Sequence, residues 1–468
     1  MSPDNIMLEP FTGFKYDGLG DVTLSDGRSV QVIFSLQLHK NGLIAGELEF
    51  PSFDIGLWSY IKEMSRFSLK GQENRSNRPL LAEECHLTGL DEAVRKCTFG
   101  SREVIIGTDL LDNPVKQKLH LHYGIVNLYE VFGGASVGTE LGELKLVNLT
   151  DIKESEKLMS LYHMPLITSG LRLMLEPGSQ LSLRKVLEKA TNIVHNFLKI
   201  SSLAQTIRHD WSLLEVSKVL GNKTTSIRPV LHILRSPPAG SPYIRMNATA
   251  VYFERFVRSA WEGYSADIDE KYGFDLALDW YIQSNTAGTL EKQFLSATTS
   301  LELLMEMFHT LNSTDKLFEE GSFRIFYEAM KAHAEELLSH MEVDNKTKQS
   351  IFGSMKGMER RTFLEKFEML LKNWGISYSD LGVSLGEIKD VRNKITHEGR
   401  YYDKVKNQYQ VDYLFRVYNG LFNILTRLFL AMLRYRGLYY DIPSSKWIDF
   451  EEVCSLARAH NDDNAKNP

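Results

Sequence analysis

Arg392, Asn393 and His397 lie within six residues of one another in the stretch Leu385-Gly-Glu-Ile-Lys-Asp-Val-Arg-Asn-Lys-Ile-Thr-His-Glu-Gly399. These residue types suit the handling of a phosphodiester. Cleaving RNA without a metal needs a group that takes the proton of a 2′-hydroxyl or gives one to the leaving oxygen, and histidine titrates nearest neutral pH. It also needs a planar, permanent cation for the phosphate and its growing charge, which arginine supplies as a rigid fork of donors. Asn393 is placed either to orient the imidazole or to donate to a phosphate oxygen.

The spacing constrains how these groups meet. On a continuous helix Asn393 and His397 share a face, whereas Arg392 and His397 diverge by roughly 140°. Both reach one phosphate if the helix breaks near the motif or if a second chain completes the site. Gly399 is placed to end the helix in a left-handed cap. Lys389, Lys394, Arg400 and Lys404 make the neighbourhood basic, a patch suited to RNA backbone although such runs also serve as solvated faces. Upstream, Glu302 and Glu306 stand one turn apart on a helical pattern, where a carboxylate either pairs with Arg392 or faces solvent.

The run Arg392-Asn393-Lys-Ile-Thr-His397 resembles the motif of HEPN ribonucleases, an arginine, a polar residue and then a histidine near the end of a helical bundle. The resemblance spans roughly 276 to 458, and Leu290-Glu-Lys-Gln-Phe-Leu-Ser-Ala-Thr-Thr-Ser-Leu-Glu-Leu-Leu304 is similar to the first long helix of the ApeA-like anti-phage branch. What it implies is a metal-independent endoribonuclease without cofactors. His397 acts as general acid or base, Arg392 holds the scissile phosphate, Asn393 positions one of them, and Lys389, Lys394 and Arg400 bind substrate. Attack by the RNA's own 2′-hydroxyl leaves a 2′,3′-cyclic phosphate. Two bundles pair as a homodimer or larger even assembly, RNA (transfer RNA among the candidates) is the partner, and the setting is abortive infection with a phage-derived trigger at the N-terminal domain. The alternative is a non-catalytic HEPN-like interaction or nucleotide-binding module beside a β-rich recognition domain.

The elements that position the motif follow from periodicity. The chain has 468 residues, enough for two or three domains, and its 43% hydrophobic and 24% charged content is that of a globular protein. We expect an α+β multidomain fold, with a β-sandwich or barrel-like domain over 1–165, a mixed, mainly helical segment over 166–275, an antiparallel helical bundle over 276–458 and a polar tail over 459–468. Period-two alternation marks Ser29–Leu38, Lys40-Asn41-Gly42 is a hairpin turn, and strands are expected near 102–106, 117–128 and 144–149. In the middle segment Ser182 caps an amphipathic helix whose inner face begins at Leu183, Val186 and Leu187. The run Ser236-Pro-Pro-Ala-Gly-Ser-Pro242 punctuates the chain, and Tyr252–Tyr264 is an aromatic helix. In the bundle, helices are expected over 289–311, 323–341, 362–371 and 411–435.

Other classes fare worse. The net charge of −6 advertises no general nucleic-acid coat, so RNA contact must be local. Cys85, Cys97 and Cys454 have no zinc spacing, and the count of 3 fits a reducing cytoplasm. His120 and His122 share a strand face without a companion carboxylate and are expected to be exposed. Gly133–Thr139 has phosphate-loop spacing but no lysine, and reads as a loop. The first residues carry neither a basic start nor an apolar run, so no signal peptide is expected. Arg416, Asn423 and Arg427 interrupt the most apolar region, which predicts a buried helix and no membrane span.

Overall fold

A computed structural model describes residues 14–23, 27–39, 42–51, 66–91, 93–128, 135–149, 167–176, 181–219, 227–235, 247, 252–265, 267–286, 288–318, 320–401 and 408–454. It divides into two units, Met1–Trp261 and Glu262–Pro468. The turn at Lys40-Asn41, the start of the glycine stretch at 133–134, the 236–242 punctuation, Lys404, the N-terminal start and the 459–468 tail lie outside the described residues.

The first unit begins with β1 (Lys15–Thr23), β2 (Ser29–Leu38), β3 (Ile44–Glu49), β4 (Phe67–Glu73), β5 (Pro79–Asp91) and β6 (Lys96–Ser101). These pair antiparallel in the order β4-β1-β2-β3-β6-β5, and β4 also pairs with β5, so the six close into a ring. Closure rests on the length of β5: Pro79–Cys85 runs along β4, and His86–Asp91 runs along β6. Alternation puts Val32, Phe34, Leu36, Leu48, Leu69 and Phe99 in one buried core. Gly18 and Gly71 make room for Phe34, because a Cβ on either would lie 2.5 or 2.6 Å from its ring.

The free flank of Leu80–Glu83 pairs with β7 (Glu103–Ile106), which starts a second run of strands. It continues through β8 (Leu119–Val126), β9 (Ser136–Thr139), β10 (Gly142–Asn148), β11 (Ile167–Leu175), β12 (Asp210–Val219) and β13 (Ile227–Arg235), in the order β7-β13-β12-β8-β11-β10-β9. Helix α1 (Leu183–Gln205) lies against this run: Tyr123 and Thr191 hydroxyls are 3.4 Å apart, and Trp211 Nε1 donates to His195 Nε2 at 3.1 Å. His195 is thus a packed histidine. Ser182 Oγ accepts from Lys185 N as the cap.

Three expectations for this unit are corrected. Residues 166–235 do not form a mainly helical connector, because β11, β12 and β13 join the same sheet as the N-terminal strands and, among the described residues, only α1 is helical there. β12 hides its period because Trp211–Leu214 is buried on both faces, which leaves no alternation to read. The glycine stretch is no loop at its end, since Ser136–Thr139 is β9. His122 is not exposed, with 3% of its surface accessible, and His120 is half-buried.

Register aligns Arg172, His122, Glu215 and His232 across four neighbouring strands, and Tyr16 completes the row with its hydroxyl 2.8 Å from His232 Nδ1. Among the described residues no group of histidine, cysteine or carboxylate side chains is placed to hold a metal. Burial, then the Arg172 charge, pushes His122 down to about 3. His209, bonded to Ser201 and Gln205, is held at about 3 by burial and Arg208.

The division falls inside α2 (Phe253–Gly263). The second unit holds α3 (Ile268–Tyr272), α4 (Phe274–Thr286), α5 (Leu290–Asn312), α6 (Glu320–Ser339), α7 (Asn345–Gly357), α8 (Phe363–Trp374), α9 (Leu385–Glu398) and α10 (Gln408–Met432), with the hairpin β14 (Leu438–Asp441) and β15 (Lys446–Asp449). The α+β multidomain expectation holds, with the domain break nearer 261 than 275. Helix α5 packs against α4, α8, α9 and α10, while α6 packs on α7 and leaves Ile325 and Leu337 exposed.

Among the described residues no helix is long and apolar enough to cross a membrane. Arg427, in the most apolar helix, has no exposed surface and is fully engaged. Its Nη1 donates to Ser377 O at 2.6 Å and Asp380 Oδ1 at 2.8 Å, its Nη2 donates to Asp441 at 3.2 Å, and its Nε donates to Tyr439 at 2.8 Å. One guanidinium therefore ties α10 to β14 and to the turn before α9.

Two outcomes follow. Both buried histidines fall from 6.5 unfolded to about 3 folded, so the unfolded chain binds the extra protons. Their stabilisation is complete above about pH 6.5 and weakens as pH falls, by about 1.4 kcal/mol per pH unit per histidine. Urea midpoints taken at about pH 7 and about pH 5 should drop accordingly, and a His209→Gln chain should show a shallower slope. Arg427→Ala leaves Asp441 buried without its cation and should destabilise the second unit by about 3–5 kcal/mol in a denaturant titration.

Candidate functional site

Helix α9 is specified at both ends. Ser384 and Glu387 form a capping box, Glu387 N donating to Ser384 Oγ at 3.1 Å and Ser384 N donating to Glu387 Oε2 at 2.8 Å. Gly399 closes it with φ of 70° and its N–H on Ile395 O. Leu385, Ile388, Val391 and Ile395 are buried and define the inner stripe. The helix runs unbroken from Leu385 through His397, so the interruption that would have swung Arg392 towards His397 is absent. The two stay roughly 140° apart about the axis.

Arg392 lies at the edge of the inner stripe and is held on three sides. Its Nε donates to Glu302 Oε1 on α5 at 2.9 Å, its Nη1 donates to Asn393 Oδ1 at 3.1 Å, and its Cζ sits 5.8 Å from the Phe363 ring centroid. Of the two acids expected on that helix, Glu302 makes the pair and Glu306 is exposed. Nη2 of Arg392 has no partner among the described residues. Asn393 contacts the arginine in place of the imidazole. His397 projects into solvent from the last turn of the helix.

Lys389 and Lys394 are half-buried and Arg400 is exposed, so the structure brings Glu302, Arg392, Asn393 and Phe363 together and leaves His397 and Arg400 open. Sequence reasoning missed Phe363, for which no local signal exists, since its proximity depends on how α8 packs. It also missed Glu387, which the Arg416 side chain pairs with and whose carboxyl falls to about 2 through that hydrogen bond. The Ser-x-x-Glu spacing ahead of an apolar stripe was readable there.

The first unit carries a separate surface cavity of about 510 Å³, lined by Leu43, Ala45, Arg66, His86, Phe99 and Arg102 among others.

The Arg392–Glu302 pair is 30% and 40% exposed, so it is worth little to stability. Glu302→Gln should move the melting temperature by less than about 4 °C, yet the Arg392 Nε–H resonance should shift and broaden as the guanidinium loses its anchor. A large loss of stability would make the pair structural.

Residues 268–450 match the family model of the YopA C-terminal domain. No curated protein matches the chain, and no solved structure does. The matched span runs from the first residue of α3 through the β14–β15 hairpin. Glu302, Arg392, Asn393 and His397 all lie inside it.

Proposed function

We propose that the chain is a metal-independent endoribonuclease of HEPN type, with its site on α9. The observation that carries this reading is the state of Arg392: Glu302 and Asn393 orient it and one guanidinium nitrogen remains available, while the same capped helix carries an exposed histidine on another face. Such a held cation is preorganised for phosphate and needs little rearrangement as charge develops. In this reading the RNA 2′-oxygen attacks the adjacent phosphorus, its proton passes to a base, and the P–O5′ bond breaks as the 5′-oxygen takes a proton. A 2′,3′-cyclic phosphate and a 5′-hydroxyl result.

His397 serves as one of the two proton-transfer groups. A second copy of the chain supplies the other motif, which also answers the divergence of Arg392 and His397 on one unbroken helix. Lys389, Lys394 and Arg400 meet the neighbouring phosphates. By the ApeA-like resemblance, the role is defence against phage through RNA cleavage in the cytoplasm, transfer RNA being one candidate target. The β unit senses the trigger, and its 510 Å³ cavity is the place for a ligand of that kind.

One observation favours the second reading, a non-catalytic interaction or nucleotide-binding module: the Arg392–Glu302 pair engages the guanidinium already. The experiment separates the two. A transfer RNA pool is incubated with purified protein in excess chelator, beside folded His397→Ala and Arg392→Ala chains. Cyclic-phosphate ends from the parent and a loss of about 100-fold or more in both variants support the nuclease. Equal cleavage by all three sinks it, and so does the absence of cleavage by the full chain and by mixtures with phage-infected extract.

A further inference from the structure

Four side chains form a ladder along the surface beside α9. Lys394 Nζ lies 4.9 Å from the Tyr401 ring centroid. Tyr401 and Tyr413 are stacked with centroids 6.2 Å apart and planes 7° from parallel. Arg416 closes the far end, its Cζ 5.0 Å from the Tyr413 centroid. Arg416 is anchored in turn by Glu387 and the Gly382 carbonyl, so that end is fixed. Tyr409, one turn before Tyr413 on α10, is 73% exposed.

The stack is open to solvent: Lys394, Tyr401 and Tyr413 are half-buried and Arg416 is exposed. The two ends also differ. Arg416 is locked by a carboxylate and a carbonyl, whereas Lys394 meets Tyr401 as a flexible ammonium over a π face. An exposed cation–π contact is worth about two- to fivefold in an equilibrium, and stacking of a nucleobase on an aromatic ring is worth about tenfold or more. A base therefore wins the Tyr401 face from Lys394, and the released ammonium is free to follow a phosphate.

The helix places this face relative to the motif. About the α9 axis, Lys394 lies roughly 60° to one side of His397, while Asn393 lies roughly 40° and Arg392 roughly 140° to the other. His397 thus stands between a phosphate clamp and an aromatic ladder. A base can pass to the ladder only if it is unpaired and turned out of a helix.

We propose that Tyr401, with Lys394 and Tyr409, takes one unstacked base of a single-stranded RNA next to the phosphate held at Arg392 and His397, so that the substrate is unpaired RNA and not duplex. The proposal rests on the nuclease reading for its substrate. Parent, Tyr401→Ala and Tyr401→Phe full-length chains are titrated into a 2′-O-methyl oligonucleotide carrying one 2-aminopurine, which cannot be cleaved and whose fluorescence falls on stacking, and into its duplex. The parent should quench the probe and bind the single strand about tenfold or more tighter than the duplex; Tyr401→Ala should lose both properties and Tyr401→Phe keep them. Parent-like quenching by Tyr401→Ala, or equal affinity for the duplex, overturns the proposal. If cleavage still depends on His397 while Tyr401→Ala behaves as the parent, the ladder falls and the nuclease stands. If quenching depends on Tyr401 but cleavage ignores His397, the base site stands as an RNA-binding site and the nuclease falls.

Discussion

A helix advances roughly 100° per residue, and this pitch governs the candidate site. Once Leu385, Ile388, Val391 and Ile395 are committed to the interior, every other position on α9 has its direction fixed. Arg392 falls at the margin of the inner stripe, within reach of Glu302 on the central helix α5 and of Phe363 on α8. His397 falls on the outer face, and Lys394 falls beyond it towards Tyr401. No side chain on this helix can be reassigned without moving the core that sets its phase, so the geometry of the motif is inherited from packing.

The same unit solves a second problem at α10. A helix this apolar packs easily in many registers, and the buried Arg427 selects one, because Asp380, Asp441, Ser377 and Tyr439 must all meet it. Burial alone would weaken the charge of Asp380, but the arginine's hydrogen bond and field outweigh it and hold the carboxyl below its usual range. Since Asp380 lies in the turn that delivers the chain into α9, the register of α10 and the entry of the motif helix are set by one guanidinium. Desolvating such a group is costly, and its worth lies in fixing one arrangement more than in adding stability.

What was legible in the sequence was whatever local pattern records. Period-two alternation gave the barrel strand β2, the apolar stripe gave α1 and α5, and Gly399 gave the end of α9. Arg416, Asn423 and Arg427 marked α10 as buried rather than membrane-spanning, but their partners are distant in sequence and no local pattern names them. Strand β12 stayed hidden because Trp211–Leu214 is buried on both faces, and His122 was misjudged because its burial is set by neighbours on β11 and β12. At the site, residue types and the Glu302 option were readable, whereas Phe363 and the stacking of Tyr401 on Tyr413 are products of tertiary packing.

The pairing order of the sheet has a consequence for the growing chain. The six barrel strands are complete once Ser101 has been made, so the ring can close early. β7 then waits for β13, about 120 residues downstream, and β8 has neither neighbour until β11 and β12 emerge. At ribosomal speeds of about 5–20 residues per second, Leu119–Val126, largely apolar, stands with both edges open for several seconds. An unpaired strand of that kind is a template for joining other chains. Synthesis of this protein therefore passes through a window in which a finished barrel carries an unfinished sheet, and a holding chaperone has its natural point of action there.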